Sequence, residues 1–297
     1  MTKALQALLT NVIDYAGMFP PAKLSLEESL ANYLQYKKST ESWMLGSFIC
    51  PATKVRDFCE QIDWSAITPK HHLSLTSAAN LDDSQQLTDL QSHLELANSL
   101  AKPHISISLE IKLPQQPIAN FMEYATPFCD KIYLEVPFDA PFDKETLQQK
   151  VGLKPNSKWA FKFRTGGIVP EAFPSSEQLA RAIIACRDAG IAWKATAGLH
   201  HPLRHFDEKI GTKMHGFMNV IGAAVLCQIS HLTESQVCQI LEEESPEAFL
   251  FQEETFRWRD FEASATEIEQ ARKQTMQSFG SCSFDDPCDD LRECKLI

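Results

Sequence analysis

The chain reads as a single (β/α)8 barrel domain, an α/β fold of TIM-barrel type, spanning residues 1–297. Strand-like and helix-like segments alternate eight times, with no low-complexity linker or composition break between them. No G-x-G-x-x-G or G-x-x-x-x-G-K-[ST] loop follows any strand, so the nucleotide-binding forms of an open doubly wound sheet lack their signature. Five successive strands alternate apolar and polar residues, as the wall of a barrel with a polar lumen would.

The strands are expected at residues 12–19, 43–50, 72–77, 104–113, 131–136, 159–165, 191–197 and 248–252. Helices are expected at 26–36, 52–62, 86–100, 118–128, 144–151, 176–189, 215–229 with 234–243, and 267–278. Ser25 before Leu26 and Ser175-Ser176 before Glu177 are helix-capping residues in the right place. Residues 1–11 read as a helix that plugs the bottom of the barrel, and 279–297 as a C-terminal tail.

Strand parity assigns the lumen. In Ile105–Leu113 the apolar residues must face the helices, which turns Ser106, Ser108, Glu110 and Lys112 inward. The same argument turns Ser74, Thr76, Tyr133 and Glu135 inward. It does so too for Lys162 and Arg164, between Phe161 and Phe163, and for Lys194 and Thr196, beside Trp193 and Ala195. An antiparallel sheet with one solvated face would alternate in the same way, but the helical intervals argue against hairpins.

Net charge is −11, which argues against nucleic acid or an anionic membrane as partner, though not against an anionic small molecule in a cationic pocket. The hydrophobic share of 44% and charged share of 23% are those of a globular domain. No apolar run reaches the length of a membrane span, and the N-terminus has no signal-like apolar region, so a cytoplasmic location is expected. Nine scattered cysteines with no C-x-x-C pair read as reduced thiols.

Two lysines, Lys162 and Lys194, stand in segments that otherwise read as buried strands, and each strand ends in a glycine turn. They lie about thirty residues apart, the length of one βαβ unit. Lysine is seldom buried unless paired or functional. With Arg164 they would form a cationic wall, in which one ammonium group lowers the pKa of another and frees it for Schiff-base chemistry on a carbonyl substrate. Glu110 or Glu135 would carry the proton. The simpler alternative is that the cations only hold a substrate anion, assisted by backbone N–H groups at Thr165-Gly166-Gly167 and Gly198.

The segment Lys162 to Gly166 and the segment Lys194 to Gly198 resemble the deoxyribose-phosphate aldolase family of class I aldolases, in which a lysine before a Thr-Gly turn and a second lysine on the next strand form the site. That resemblance implies that Lys162 is the Schiff-base residue and Lys194 its neighbour. The aspartate of that family's earlier strand has no counterpart, and the histidine pair is foreign to it. Over its full length the chain is similar to a family of uncharacterised bacterial proteins, through Ile13 to Pro21, Lys162 to Gly167, Lys194 to Pro202 and Phe279 to Phe284. This second likeness supports one domain and implies no activity.

The expected function is that of an enzyme on a small anionic carbonyl or sugar-acid-like metabolite, by aldolase or lyase chemistry. Lys162, Lys194, Glu135 and Glu110 would be catalytic. Arg164, Thr165, Gly166, Gly167, Thr196 and Asp14 would meet the substrate, and His200 and His201 would bind it or assist proton transfer. No cofactor is called for in this reading. One rival is a metal-dependent lyase or hydrolase using His200, His201, His205 and His215 with a carboxylate and a divalent ion. Another is a non-catalytic barrel that binds an anion. Cys282 is expected at the face opposite the site, beyond the last helix.

Overall fold

The computed structural model describes residues 1–62, 71–101, 105–114, 119–138 and 158–297. The helix expected at 144–151 lies outside these. Eight strands close into a barrel: β1 (Ile13–Tyr15), β2 (Leu45–Pro51), β3 (His71–Ser77), β4 (Ile105–Lys112), β5 (Lys131–Val136), β6 (Trp159–Arg164), β7 (Trp193–Thr196) and, after the two-stranded sheet of β8 (His205–Asp207) and β9 (Thr212–Met214) and three further strands outside the ring, β13 (Met276–Ser281). Neighbours run parallel all round the ring, which removes the antiparallel alternative.

Helices cover the barrel because their sequences carry one apolar face and explicit start signals. Ser25 with Glu28, and Ser175 with Gln178, each form a reciprocal capping box at the expected positions. Gly190 ends the helix Ser176–Ala189 in the left-handed conformation at φ 65°, where a side chain would be strained. The helix Phe217–Ser230 is apolar almost all round and correspondingly buried, between the barrel and the helices outside it. Among the described residues no helix is long and apolar enough to cross a membrane.

Two expectations at the C-terminal end are corrected. The segment expected as the eighth strand supplies β10 (Phe249–Phe251), which pairs antiparallel with β11 (Thr255–Trp258). That strand pairs in turn with β12 (Phe261–Ser264), in a small sheet outside the barrel. The eighth barrel strand is β13, formed from residues expected as the end of a helix and the start of a tail. The helix Ala265–Gln274 stops before it, and β13 closes the ring between β7 and β1. Its inward residues are small and polar because they face the charged lumen, so its sequence lacks the apolar run of a buried strand. Cys282 follows β13 directly and therefore lies at the C-terminal face of the strands, not the opposite one.

The outward residue of β13 holds it in place. Phe279 is fully buried and stacks on Phe217, with ring centroids 5.2 Å apart. Phe279→Ala is therefore expected to cost about 3–5 kcal/mol in urea unfolding. A change within about 0.5 kcal/mol, as at an exposed tail position, would contradict this closure.

A charged file inside the barrel

Asp14, Glu110, Glu135, Lys162 and Lys194 come together as one alternating chain of charges across the lumen. Lys194 Nζ donates to Asp14 Oδ2 at 2.5 Å and to Glu110 Oε1 at 2.7 Å. The other oxygen of Glu110 lies 3.0 Å from Lys162 Nζ, which also reaches Glu135 Oε2 at 2.8 Å. Arg164 ends the file, with Nε 3.4 Å from Glu135 Oε1. The register explains this meeting: Glu135, Lys162 and Lys194 are direct partners across β5, β6 and β7. Neutral groups satisfy the remaining carboxylate lone pairs. The hydroxyls of Ser74 and Ser278 donate to Glu110 and Asp14, both at 2.6 Å, and the Ser47 N–H donates to Asp14 Oδ1 at 2.7 Å. Lys194 also sits 5.1 Å from the Tyr133 ring centroid, and the Tyr133 hydroxyl donates to Gln277 at 2.9 Å.

Burial this deep is costly for a charge and tolerable only with such partners. Lys194 is 1% exposed; burial pulls its pKa down, but Asp14 and Glu110 outweigh that and raise it. The expected lowering of a lysine pKa by neighbouring cations is thus reversed at Lys194, because Glu110 stands between the two ammonium groups and Asp14 also bonds Lys194. Burial likewise pushes the Glu110 carboxyl up, and Lys194 and Lys162 more than offset it, holding it well below the usual range. Glu135 is lowered in the same manner, chiefly by Lys162 against its own burial.

Cavities lie at both ends of this file. A cavity of about 610 Å³ at the C-terminal ends of β4–β6 is lined by Lys112, Glu135, Arg164, Phe173 and Gln178, among others. A larger one, about 940 Å³, opens at the other end beside the N-terminal helix Lys3–Leu9 and reaches Asp14, Tyr133 and Ser278. That helix therefore borders a cavity at the bottom of the barrel.

The remaining expected contacts divide. The Thr165 hydroxyl is spent on the Ala197 carbonyl at 2.6 Å, and Thr165 is fully buried. Gly166 packs against Gly198, where a side chain on either would meet the other's backbone within 3 Å. Ala197 and Gly198 both take positive φ, 63° and 76°. These glycines lock two loops together. Gly167 lies close to the Ala172 side chain in the same loop. Thr196 ends β7 and pairs with Gly280 of β13. Asp14 anchors Lys194 and touches the lower cavity.

Of the four histidines, His201 and His205 meet edge to face with ring centroids 4.5 Å apart, while His200 and His215 have separate partners. His200 Nδ1 lies 3.5 Å from the Ser281 hydroxyl, and His201 Nδ1 lies 2.5 Å from Asp290. His205 bonds the Leu203 carbonyl, and His215 bonds the Pro174 carbonyl and Arg204. Burial lowers the pKa of His200, and lowers that of His215 to about 4. Among the described residues no group of three or more histidine, cysteine or acidic side chains is arranged to hold a metal ion. Ser278 and Asp290 were invisible to the sequence reading, because both lie in segments expected as helix end and tail.

Compared with known protein families, with curated proteins and with solved structures, the chain matches none.

Two expectations follow from the charges. Lys194→Met removes the ammonium group bonded to buried Asp14, leaves Glu110 with Lys162 alone, and is expected to cost about 3–5 kcal/mol of stability. Arg164→Met, at a half-exposed pair, is expected to cost about 0–1 kcal/mol. Equal urea midpoint shifts in the two variants would contradict the file.

The second concerns pH. Glu110 and Glu135 are lowered, so their stabilisation is complete above the ordinary value of 4.5 and is lost as pH falls through their folded values. Lys194 is raised, so its share is complete below 10.5 and is lost as pH rises through its folded value. The contribution of these groups is therefore flat between 4.5 and 10.5 and falls on both sides. Chemical denaturation across pH checks this, and a continuous slope through neutrality assigned to Glu110→Gln or Lys194→Met would contradict it.

Proposed function

We propose that this barrel is an enzyme that forms a Schiff base between Lys162 and a small anionic carbonyl compound, and uses it for aldolase- or lyase-type bond cleavage. The observation that carries this reading is the position of Lys162. It is the lysine of the file adjoining Glu135, which lines the cavity at the C-terminal strand ends, the usual place for chemistry in this architecture. Lys194 is one step deeper and sealed between two carboxylates.

Charge balance supports the covalent reading over anion binding by the lysines. An ammonium group and a carbonyl compound combine to give an iminium ion and water, –NH3⁺ + O=C → –NH⁺=C + H2O. Charge is conserved, so Glu110 and Glu135 keep a cation between them before and after. Free anion binding would instead need a cation without a partner, and both lysines already have two carboxylates each. The substrate's own anionic group falls to Lys112 at the cavity wall and to the guanidinium N–H donors of Arg164 that Glu135 does not take.

The roles divide along the file. Glu135 borders the cavity and takes a proton from the Lys162 ammonium so that the amine lone pair attacks the carbonyl carbon. The same carboxyl returns it to the carbonyl-derived oxygen, then passes on the second proton that the nitrogen sheds as the C–O bond breaks. The oxygen thus leaves as water and the nitrogen keeps one hydrogen in the iminium. Glu110 is too strongly held by Lys194 and Ser74 to trade protons readily, and serves as fixed counter-charge to the iminium. Asp14 and Lys194 in turn fix Glu110.

Borohydride reduction in the presence of a panel of small keto and aldehydo acids is expected to leave a reduced mass adduct on the peptide carrying Lys162, none on that carrying Lys194, and none in Lys162→Met. An adduct on Lys194, or none with any panel member, would overturn the assignment.

A further inference from the structure

The corrected course of the C-terminus places a second set of proton-handling groups at the mouth of the barrel. After β13 the chain turns at Cys282 into the helix Asp285–Glu293, which brings Asp290 against the loop that follows β7. There Asp290 Oδ2 lies 2.5 Å from His201 Nδ1. The neighbouring His200 lies beside Ser281, the last residue of β13, which fixes this loop at the C-terminal ends of the strands. Both partners keep some access to solvent, with 44% of the His201 side chain and 25% of the Asp290 side chain exposed.

An ionised carboxylate only accepts hydrogen bonds, so the contact demands a proton on His201 Nδ1. In the neutral ring that leaves Nε2 with its lone pair. No hydrogen bond to Nε2 occurs among the described residues. The ring is held from a second side by His205, which stands edge-on to it with centroids 4.5 Å apart and interplanar angle 82°. His205 is itself fixed through Nδ1, 3.0 Å from the Leu203 carbonyl. A tautomer set by one partner and a ring plane set by another is the arrangement a base needs to present one nitrogen reproducibly.

We propose that Asp290 is a positioning residue for His201, and that the pair forms a proton-transfer centre at the barrel mouth for a hydroxyl-bearing substrate or an activated water. His201 Nε2 accepts the hydroxyl proton: the N–H bond forms, the O–H bond breaks and its electron pair stays on oxygen. The Asp290 carboxylate stabilises the resulting imidazolium until the proton is handed back. This centre does not rest on the Lys162 chemistry, and its test does not use a carbonyl compound.

The full-length protein labelled with nitrogen-15 at histidine tests it, at about pH 9, above the ordinary imidazole range. Long-range proton–nitrogen spectra are expected to show His201 with Nδ1 protonated and Nε2 unprotonated. Asp290→Asn, checked for unchanged circular dichroism, is expected to shift this towards a mixture of tautomers, and Asp290→Glu to restore it at least in part. Diethyl pyrocarbonate, followed by peptide mass mapping, is expected to acylate His201 several-fold more slowly in Asp290→Asn than in the unaltered protein. A wild-type His201 protonated on Nε2 would overturn the proposal on its own, whether or not the variants fold. So would tautomer and reactivity both unchanged in Asp290→Asn.

Discussion

Everything inside this barrel is arranged around Glu110. Its two oxygens face different lysines, 2.7 Å from Lys194 and 3.0 Å from Lys162, so one carboxylate joins two buried cations. A carboxylate in that position would be expelled by burial if either cation were missing, and either lysine would face the same penalty without it. The strands that carry the three residues must therefore keep their mutual register. Asp14, from the first strand, extends the constraint to the other side of the ring, where β13 closes it and Ser278 completes the bonding of Asp14. The charges thus act as a specification of closure.

The same arrangement separates two roles that the pair of lysines seemed to share. Alternation of sign, rather than proximity of like charges, governs the lumen. Lys194 has carboxylates on both sides, which outweigh the effect of burial and favour its ammonium form. Lys162, one step nearer the cavity, has a partner in Glu135 that touches both the file and the open space above it. The glycine turns after the two strands bind to each other through Thr165, Ala197, Gly166 and Gly198. They set the distance between β6 and β7 at the C-terminal ends of these strands.

Much of this was legible in the sequence, for identifiable reasons. Strand parity places Ser74, Glu110, Glu135, Lys162 and Lys194 on the inner face, because Phe161, Phe163, Trp193 and the leucines and isoleucines of β3–β5 can only face the helices. What parity lacks is the sign of the coupling between strands far apart in sequence. Asp14 and Lys194 lie 180 residues apart, and nothing local in either segment announces the contact. The C-terminal strand was hidden by the residues that fit it to the lumen. Ser278 and Gly280 make it neither apolar nor regular, whereas Phe249-Leu250-Phe251 looks like a core strand and instead packs in a peripheral sheet. Misplacing that strand by nearly thirty residues also hid Asp290, and sent Cys282 to the wrong end of the barrel.

The central claim is that Lys194 is held as an ammonium ion by Asp14 and Glu110. Carbon-13 and nitrogen-15 NMR of labelled lysine side chains, followed through alkaline pH, tests it directly. The Lys194 Cε and Nζ resonances are expected to stay at ammonium values past the ordinary lysine pKa of 10.5, when exposed lysines have already titrated. A Lys194 that loses its proton together with the exposed lysines, or before them, would contradict the account.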